Sequence, residues 1–144
     1  RNALKENGLA PGALELQITE GSIMENIRTV TDLLYELRDM GVKIVLDNFG
    51  NGCSSISHLK KAPIEKIKID PVFIHALGTG SEDADVAGAI VAMAKNLRLK
   101  VSAGGVETDG QALLLKKIGC DEYQGYLVSP SLPAGEISHF CAPD

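Results

Sequence analysis

Five polar side chains, each at or near the end of an apolar run of the chain, have the residue types that phosphate or metal chemistry needs. They are Glu20, Asp47, Lys68, Glu107 and Gln124. Carboxylates bind hard cations such as Mg²⁺ or Mn²⁺, and a lysine neutralises a phosphate or orients a water. If the apolar runs are parallel strands of a barrel, their carboxyl ends meet at one edge, where such folds carry out their chemistry. We therefore expect these five side chains to converge on one acid-rich site.

Each of these residues also fits a structural role. Glu20 and Asp47 are placed to cap the helices that follow them. Lys68 is placed to form an ion pair with Asp70 or with another acid of the barrel. Glu107 suits the first turn of a helix, where a negative charge favours the helix dipole. The spacing alone leaves both interpretations open.

Residues 48–52, Asn-Phe-Gly-Asn-Gly, form a glycine-rich loop directly after an apolar run. Loops of this kind cradle phosphates, but this one has neither the lysine spacing of a P-loop nor the glycine pattern of a dinucleotide fold. Gly50 and Gly52 are equally typical of a tight turn. The three histidines share no spacing, and we expect them to lie on the surface.

The composition excludes several classes of protein. With 144 residues, of which 44% are hydrophobic and 23% charged, the chain fits one globular domain with a core of its own. No run approaches the ~20 apolar residues of a membrane helix, and no signal peptide precedes the first strand, so we expect a cytoplasmic location. The net charge of −5 argues against a nucleic-acid duplex as partner. A small phosphorylated ligand remains compatible with this charge if metal ions bridge the like charges.

The three cysteines predict reduced thiols. Cys53, Cys120 and Cys141 are widely spaced, odd in number and without a Cys-x-x-Cys pair, a pattern that argues against a zinc site.

The strand-like runs alternate with helical patterns, which is the arrangement of parallel β/α units. We predict strands over residues 14–19, 42–47, 66–69, 100–103 and 121–124. A closed eight-fold barrel takes roughly 250 residues, whereas only these five strands are present. The chain also begins with Arg1 instead of methionine. We therefore expect part of a barrel, carried by a longer protein.

Helices are predicted between these strands from apolar periodicity and from capping signals. The first is expected to start at Ser22 and to end before Gly41. A short helix is expected over 55–61, a longer one over 83–97, and a last one over 133–140, while 71–77 is ambiguous. Thr108 and Gln111 have the form of a capping box, and the helix that they open is expected to end at Gly119.

The motifs together resemble those of EAL domains, in the same order along the chain. The matching segments are Ile18-Thr-Glu20, Leu46-Asp-Asn-Phe-Gly50, Lys68-Ile-Asp70, Ala103-Gly-Gly-Val-Glu-Thr108 and Gly119-Cys-Asp-Glu-Tyr-Gln-Gly-Tyr126. That family consists of cyclic di-GMP phosphodiesterases and their catalytically degenerate relatives. The resemblance covers essentially the whole chain. It implies a modified (β/α)₈ barrel of which residues 1–144 are the C-terminal part.

The resemblance also implies roles for individual residues. Glu20 and Asp47 match metal ligands, Lys68 and Glu107 match active-site residues, and Asn48 and Gln124 lie at substrate-contacting positions. In active members, Mg²⁺ or Mn²⁺ activates a water that opens one phosphodiester of cyclic di-GMP and gives linear pGpG.

Four positions depart from the pattern of active members. Asn48 stands where they carry a second aspartate, and Gly104 where they carry the first glutamate of Glu-Gly-Val-Glu. Asn51 and Cys53 replace a threonine and a tyrosine of the loop that supports the metal site. The Glu-Ala-Leu signature and a following metal-binding asparagine would lie before Arg1.

These departures predict a degenerate EAL domain that acts as a cyclic di-GMP receptor or as an interaction module. The alternative is a working phosphodiesterase in the full-length protein. A third possibility is a scaffold that binds neither metal nor nucleotide. The expected partners are cyclic di-GMP and either a second copy of the chain or other domains of the parent protein.

Overall fold

Five strands form one parallel sheet in chain order. The structure is a computed structural model that describes residues 2–25, 27–52, 59–79 and 82–141. The strands are β1 Glu15–Thr19, β2 Lys43–Phe49, β3 Lys66–Ile69, β4 Lys100–Ala103 and β5 Glu122–Tyr123. Every pair of neighbours is parallel. The predicted α/β fold of five parallel strands is confirmed.

Helices follow β1, β3, β4 and β5 and cover one face of the sheet. They are α1 Asn2–Glu6, α2 Glu20–Glu25, α3 Ile27–Asp39, α4 Pro71–His75, α5 Glu82–Asn96, α6 Asp109–Ile118 and α7 Ala134–Cys141, with a 3₁₀ turn at Pro11–Ala13. Among the helices that the structure describes, none has the length and apolar character needed to cross a bilayer. The predicted helix over 55–61 falls mostly on residues 53–58, which lie outside the described ranges.

The two faces of the sheet differ in chemistry. Ile44, Leu46, Ile67, Ile69 and Val101 are fully buried in the core beneath the helices. Because side chains alternate along a strand, the residues between them point to the opposite side. That side, the polar face, carries Glu15, Gln17, Lys66, Lys68 and Glu122, which line two small adjoining cavities. In a barrel this face is the interior, so it is the face on which a site is expected.

The end of β2 corrects the sequence prediction. The strand continues through Phe49 rather than ending at Asp47, and its register with β3 shifts between Leu46 and Phe49. Asn48 lies at this irregularity with a φ of 54°, a conformation that asparagine adopts more readily than most residues. After the irregularity β2 pairs with β3 again, with Phe49 opposite Ile69, and Phe49 is buried at 7% exposed. Conversely, β5 is shorter than the predicted 121–124.

The predicted helix start at Ser22 is wrong. Helix α2 begins at Glu20, and Ser22 is its third residue. The backbone N–H of Ser22 donates to Oγ1 of Thr19 at 3.4 Å, so the threonine at the end of β1 takes the capping position. The chain therefore turns from strand to helix directly at Glu20.

The capping box of α6 is confirmed. The backbone N–H of Gln111 donates to Oγ1 of Thr108 at 3.2 Å, and that of Thr108 donates to Oε1 of Gln111 at 3.1 Å. Gly119 ends the helix with a φ of 88°, in the left-handed region that favours glycine. The ambiguous segment after β3 begins with α4, because Asp70 caps it by accepting the N–H of Val72 at 2.9 Å.

Candidate active site

The strand order brings most of the predicted site residues to one edge of the sheet. Glu20 follows β1, Asp47 and Asn48 lie near the end of β2, and Lys68 is the penultimate residue of β3. Gln124 follows β5. The register pairs Thr19 with Asp47, so the acids at the ends of β1 and β2 are neighbours across the sheet.

Lys68 and Asp47 form the centre of this edge. Lys68 Nζ lies 3.7 Å from Asp47 Oδ1, and the two side chains are 14% and 21% exposed. Asp47 Oδ1 also accepts the backbone N–H of Asn48 at 2.9 Å. Of the ion pairs considered for Lys68, the structure contains the one with another barrel acid, not the one with Asp70. The carboxylate of Asp70 instead caps α4 and accepts from Asn51 Nδ2 at 3.3 Å.

The carboxylate of Glu20 is buried beside the glycine-rich loop. Its residue is only 7% exposed, and a Cβ atom added to Gly52 would overlap its Oε2. A glycine is therefore needed at position 52 to admit this acid. Within the described ranges, no group of three or more histidine, cysteine, aspartate or glutamate side chains is arranged to hold a metal ion. Glu20 and Asp47 are two carboxylates at neighbouring strand ends and do not by themselves make such a group.

Gly104 lies between Lys68 and Gln124. A Cβ atom built on it would be 3.1 Å from Lys68 Cε and 4.0 Å from Gln124 Nε2. The stem of Lys68 thus passes through the space beside Gly104 that a side chain would enter. The position is central to the edge, and it carries no functional group.

Backbone hydrogen bonds fix Gln124 at this edge although β5 ends one residue earlier. Its N–H donates to the carbonyl of Ala103 at 2.9 Å, and its carbonyl accepts the N–H of Val106 at 3.1 Å. These bonds tie the segment after β5 to the segment after β4. The amide of Gln124 is consequently held on a rigid support.

Glu107 lies apart from this centre, in a neighbouring cleft of about 410 Å³ that it lines with His75, Gln124 and Tyr126. Its Oε1 is 4.0 Å from His75 Nε2, and both side chains are about half exposed. In the part of the chain that the structure describes, no hydrogen bond or ion pair joins Glu107 to Asp47 or Lys68. His75 is exposed, as predicted, but its place next to Glu107 was not foreseen.

Sequence reasoning also missed a layer of charges below Lys68. Lys66 Nζ lies 2.9 Å from Glu15 Oε1 on β1 and 2.5 Å from Glu122 Oε2 on β5. Burial lowers the pKa of Lys66, but its hydrogen bonds to the two glutamates and their negative charges outweigh this effect, and the pKa lies above its ordinary value. The signal that would have revealed the layer is the alternation of polar and apolar residues in β1 and β3.

The parallel sheet and its helices define a β/α domain of TIM-barrel-like fold with acidic, amide and lysine side chains at the carboxyl edge of the strands. The chain belongs to the EAL domain family, whose model matches residues 1–131. This confirms the resemblance that the motifs indicated. The family is one of cyclic di-GMP phosphodiesterases, which are hydrolases.

Two curated relatives come from Pseudomonas aeruginosa. The cyclic di-GMP phosphodiesterase NbdA is 42% identical over 140 residues, which cover 97% of this chain and 18% of the relative. The bifunctional diguanylate cyclase/cyclic di-GMP phosphodiesterase MucR is 41% identical over 137 residues, covering 95% of this chain and 20% of the relative. The chain thus spans about a fifth of the length of these relatives.

Solved structures agree with this assignment and with a TIM-barrel-like fold. The PaMucR phosphodiesterase in complex with c-di-GMP superposes with a TM-score of 0.90 at 41% identity, over 95% of this chain and 56% of that chain. The EAL domain of Mycobacterium smegmatis DcpA gives 0.89 at 36% identity, over 96% and 62%. Klebsiella pneumoniae BlrP1, in a manganese and cy-diGMP complex, gives 0.78 at 29% identity, over 88% and 32%.

Proposed function

We propose that residues 1–144 are the C-terminal part of one EAL-type domain that is catalytically impaired and serves as a cyclic di-GMP receptor or interaction module. The observation that carries the proposal is the bare backbone of Gly104 between Lys68 and Gln124. At this position the family pattern of active members has a glutamate. The edge keeps a cation and an amide for the nucleotide but lacks this carboxylate.

The missing groups matter because hydrolysis needs a water that is deprotonated near neutral pH. Asn48 offers a neutral amide where a second ion would need an anion, and Gly104 offers no side chain. Removing one group that stabilises the transition state costs about 10²–10³ in rate, or about 3–4 kcal/mol at ~1.36 kcal/mol per tenfold. Two such losses together argue against turnover at a useful rate.

Glu20 and Asp47 would hold a Mg²⁺ or Mn²⁺ ion if one binds. Both are oxygen donors of the kind these ions prefer, and the burial of Glu20 fits a carboxylate aimed into a site. A bound ion would supply charge for the phosphate and lower the pKa of a coordinated water. Its affinity is expected to be low, because the ammonium of Lys68 already compensates Asp47 at 3.7 Å.

Nucleotide binding by this edge is supported by charge and by shape. The chain is acidic overall, with a net charge of −5, so a local cation has to attract the phosphodiester. Lys68 supplies it at the centre, and Gln124 supplies hydrogen-bonding groups beside it. The adjacent cleft of about 410 Å³ falls in the size range of small-molecule pockets.

A second candidate is an active phosphodiesterase in the complete protein. It is favoured by the 42% identity to a relative named as a cyclic di-GMP phosphodiesterase. Asn48 and Gly104 separate the two candidates, since additional segments of the protein do not restore the two side chains. Dimerisation, linkage to further domains and a cytoplasmic location stay predictions.

Calorimetric titration of the complete protein with cyclic di-GMP, with Mg²⁺ and with EDTA, tests the receptor function. We expect saturable binding in both buffers and a Kd that is raised about tenfold, but still measurable, in Lys68→Met. Lys43→Met is the matched control, because Lys43 is exposed at the opposite end of β2 and its loss should leave binding unchanged. Residues 1–144 alone should bind more weakly, since part of the pocket wall is absent. No binding by the complete protein would overturn the receptor function.

A further inference from the structure

Two lysines of β3 face the same side of the sheet but have different partners. Lys66 lies between two carboxylates, Glu15 on β1 and Glu122 on β5. Lys68, two residues further along, has Asp47 at 3.7 Å and donates a hydrogen bond to Gln17 Oε1 at 3.3 Å.

The same step of two residues separates the flanking side chains. On β1 it leads from Glu15 to Gln17, and beyond β5 it leads from Glu122 to Gln124. Because side chains two apart in a strand share a face, the two glutamines stand one layer above the two glutamates. The polar face thus has an acid–lysine–acid layer beneath an amide–lysine–amide layer, and the upper layer is the one at the carboxyl edge.

The two layers treat the lysine charge differently. Two carboxylates more than balance the charge of Lys66, so this lysine has no net positive charge to attract an external anion. Among the described residues, Lys68 has one carboxylate neighbour, Asp47, and its hydrogen-bond acceptor on β1 is neutral. Part of its charge is therefore available to a ligand at the edge.

The path of the Lys68 side chain shows why an acceptor on β1 matters. The position for a Cβ on Gly104 lies 3.1 Å from Lys68 Cε, so the last carbon of the stem lies close to the residue that follows β4. Its ammonium nevertheless reaches across β2 to Gln17, which lies two strands away. A lysine stem has four rotatable bonds, and the hydrogen bond to Gln17 selects one of its positions.

We propose that Gln17 is a positioning residue, which holds the ammonium of Lys68 beside Asp47 with a neutral acceptor and so keeps its charge available to a phosphodiester. The inference rests on the proposed nucleotide-binding function, and it adds a residue to which neither the motifs nor the comparisons give a role. It also gives a reason for an amide, as opposed to a carboxylate, at this position of β1.

A double-mutant cycle on cyclic di-GMP binding by the complete protein in EDTA tests whether Gln17 acts through Lys68. Gln17→Glu keeps an acceptor but adds a charge, and we expect it to raise Kd about tenfold, the size of a charged hydrogen-bond contribution. Gln17→Leu removes the acceptor and should raise Kd several-fold. In a Lys68→Met background Gln17→Leu should not weaken binding further. Unchanged affinity of Gln17→Glu, or a loss in Gln17→Leu that adds to that of Lys68→Met, would overturn the proposal.

A second readout needs no nucleotide, so it separates failure of this inference from failure of the proposed function. NMR of the protein labelled at its lysine side chains reports whether the two ε-protons of Lys68 are distinct, as they are when the stem is held. We expect distinct signals in the unmodified protein and in Gln17→Glu, and merged signals in Gln17→Leu. The Lys66 signals are the internal control and should stay distinct in all three. Unaltered Lys68 signals in Gln17→Leu would show that Gln17 does not position this lysine.

Discussion

A Cβ atom added to Gly104 would lie 3.1 Å from Cε of Lys68. The position of the Lys68 stem therefore depends on Gly104 having no side chain. This contact is closer than the ordinary separation of about 3.5–4.0 Å between carbon atoms. Any side chain restored at Gly104 must therefore move the lysine stem by a few tenths of an ångström. The stem is flexible, so the site tolerates such a change.

Gly104→Ala should consequently leave the stability of the complete protein nearly unchanged. Because the φ of Gly104 lies outside the left-handed region and its nearest neighbour is a flexible stem, we expect the free energy of unfolding to change by less than about 1 kcal/mol. The matched control is Gly105→Ala. Gly105 has a φ of 75°, and an added Cβ would lie 3.1 Å from Pro71 Cβ, so a loss of about 1–2 kcal/mol or more is expected. Urea titration measures the free energy of unfolding of both variants. Equal losses would contradict the view that a side chain at Gly104 meets only the flexible stem of Lys68.

Removal of the lower lysine should destabilise the sheet in a pH-dependent way. Lys66→Met leaves Glu15 and Glu122 facing each other without a cation. Loss of one partner of a buried pair costs about 3–5 kcal/mol, but these glutamates are partly exposed, so we expect about 1–3 kcal/mol at pH 7.

The sign of the pH dependence follows from the raised pKa of Lys66. The contribution of this lysine to stability is complete below its ordinary pKa of 10.5 and is lost as pH rises through the higher pKa of the folded state. The difference between the unmodified protein and Lys66→Met, measured by urea unfolding, should therefore narrow above pH 10.5. A difference that stays constant from pH 7 into that range would argue against the ion pairs as its cause.

The strands were predictable because their signal is local. The strands over residues 66–69 and 100–103 have the bounds that the strand pattern predicts, and the capping box of Thr108 depends on two side chains three residues apart. The end of β2 was not predictable in this way. The strand continues past Asp47 because Phe49 gains a partner in Ile69, and that pairing depends on a residue 20 positions further along the chain.

The sequence predicted the site as the residues at the carboxyl ends of the strands, and the topology of a parallel sheet places those ends together. Glu20, Asp47, Lys68 and Gln124 lie at one edge because parallel strands share their direction. The detailed contacts depend on side-chain reach, and so the partner of Lys68 on β1 and the offset of Glu107 toward His75 were missed. The alternation Glu15, Gln17, Thr19 already placed three polar residues on one face of β1, and it would have pointed to Gln17.

One substitution far from the site should stabilise the protein. Arg98 has a φ of 60° just after α5, in the left-handed conformation that costs an L-residue about 1–2 kcal/mol. Glycine avoids that cost but loses about 0.5–1 kcal/mol in unfolded-chain entropy, so we expect Arg98→Gly to raise the free energy of unfolding by up to about 1 kcal/mol.

Lys116→Gly is the matched control for Arg98→Gly. Lys116 is exposed within α6, where glycine costs about 1 kcal/mol. Thermal unfolding of the two variants should shift in opposite directions. A lower melting temperature for Arg98→Gly would show that the arginine side chain contributes more than its backbone strain costs.

The most direct test of the account is a product assay for linear pGpG, with the complete purified protein in Mg²⁺ and in Mn²⁺. It is run beside an Asn48→Asp/Gly104→Glu double variant, which restores the two carboxylates in the pattern of active family members. We predict no useful turnover by the unmodified protein and a gain of hydrolysis in the double variant. Robust turnover by the unmodified protein would contradict the claim that the domain is catalytically impaired.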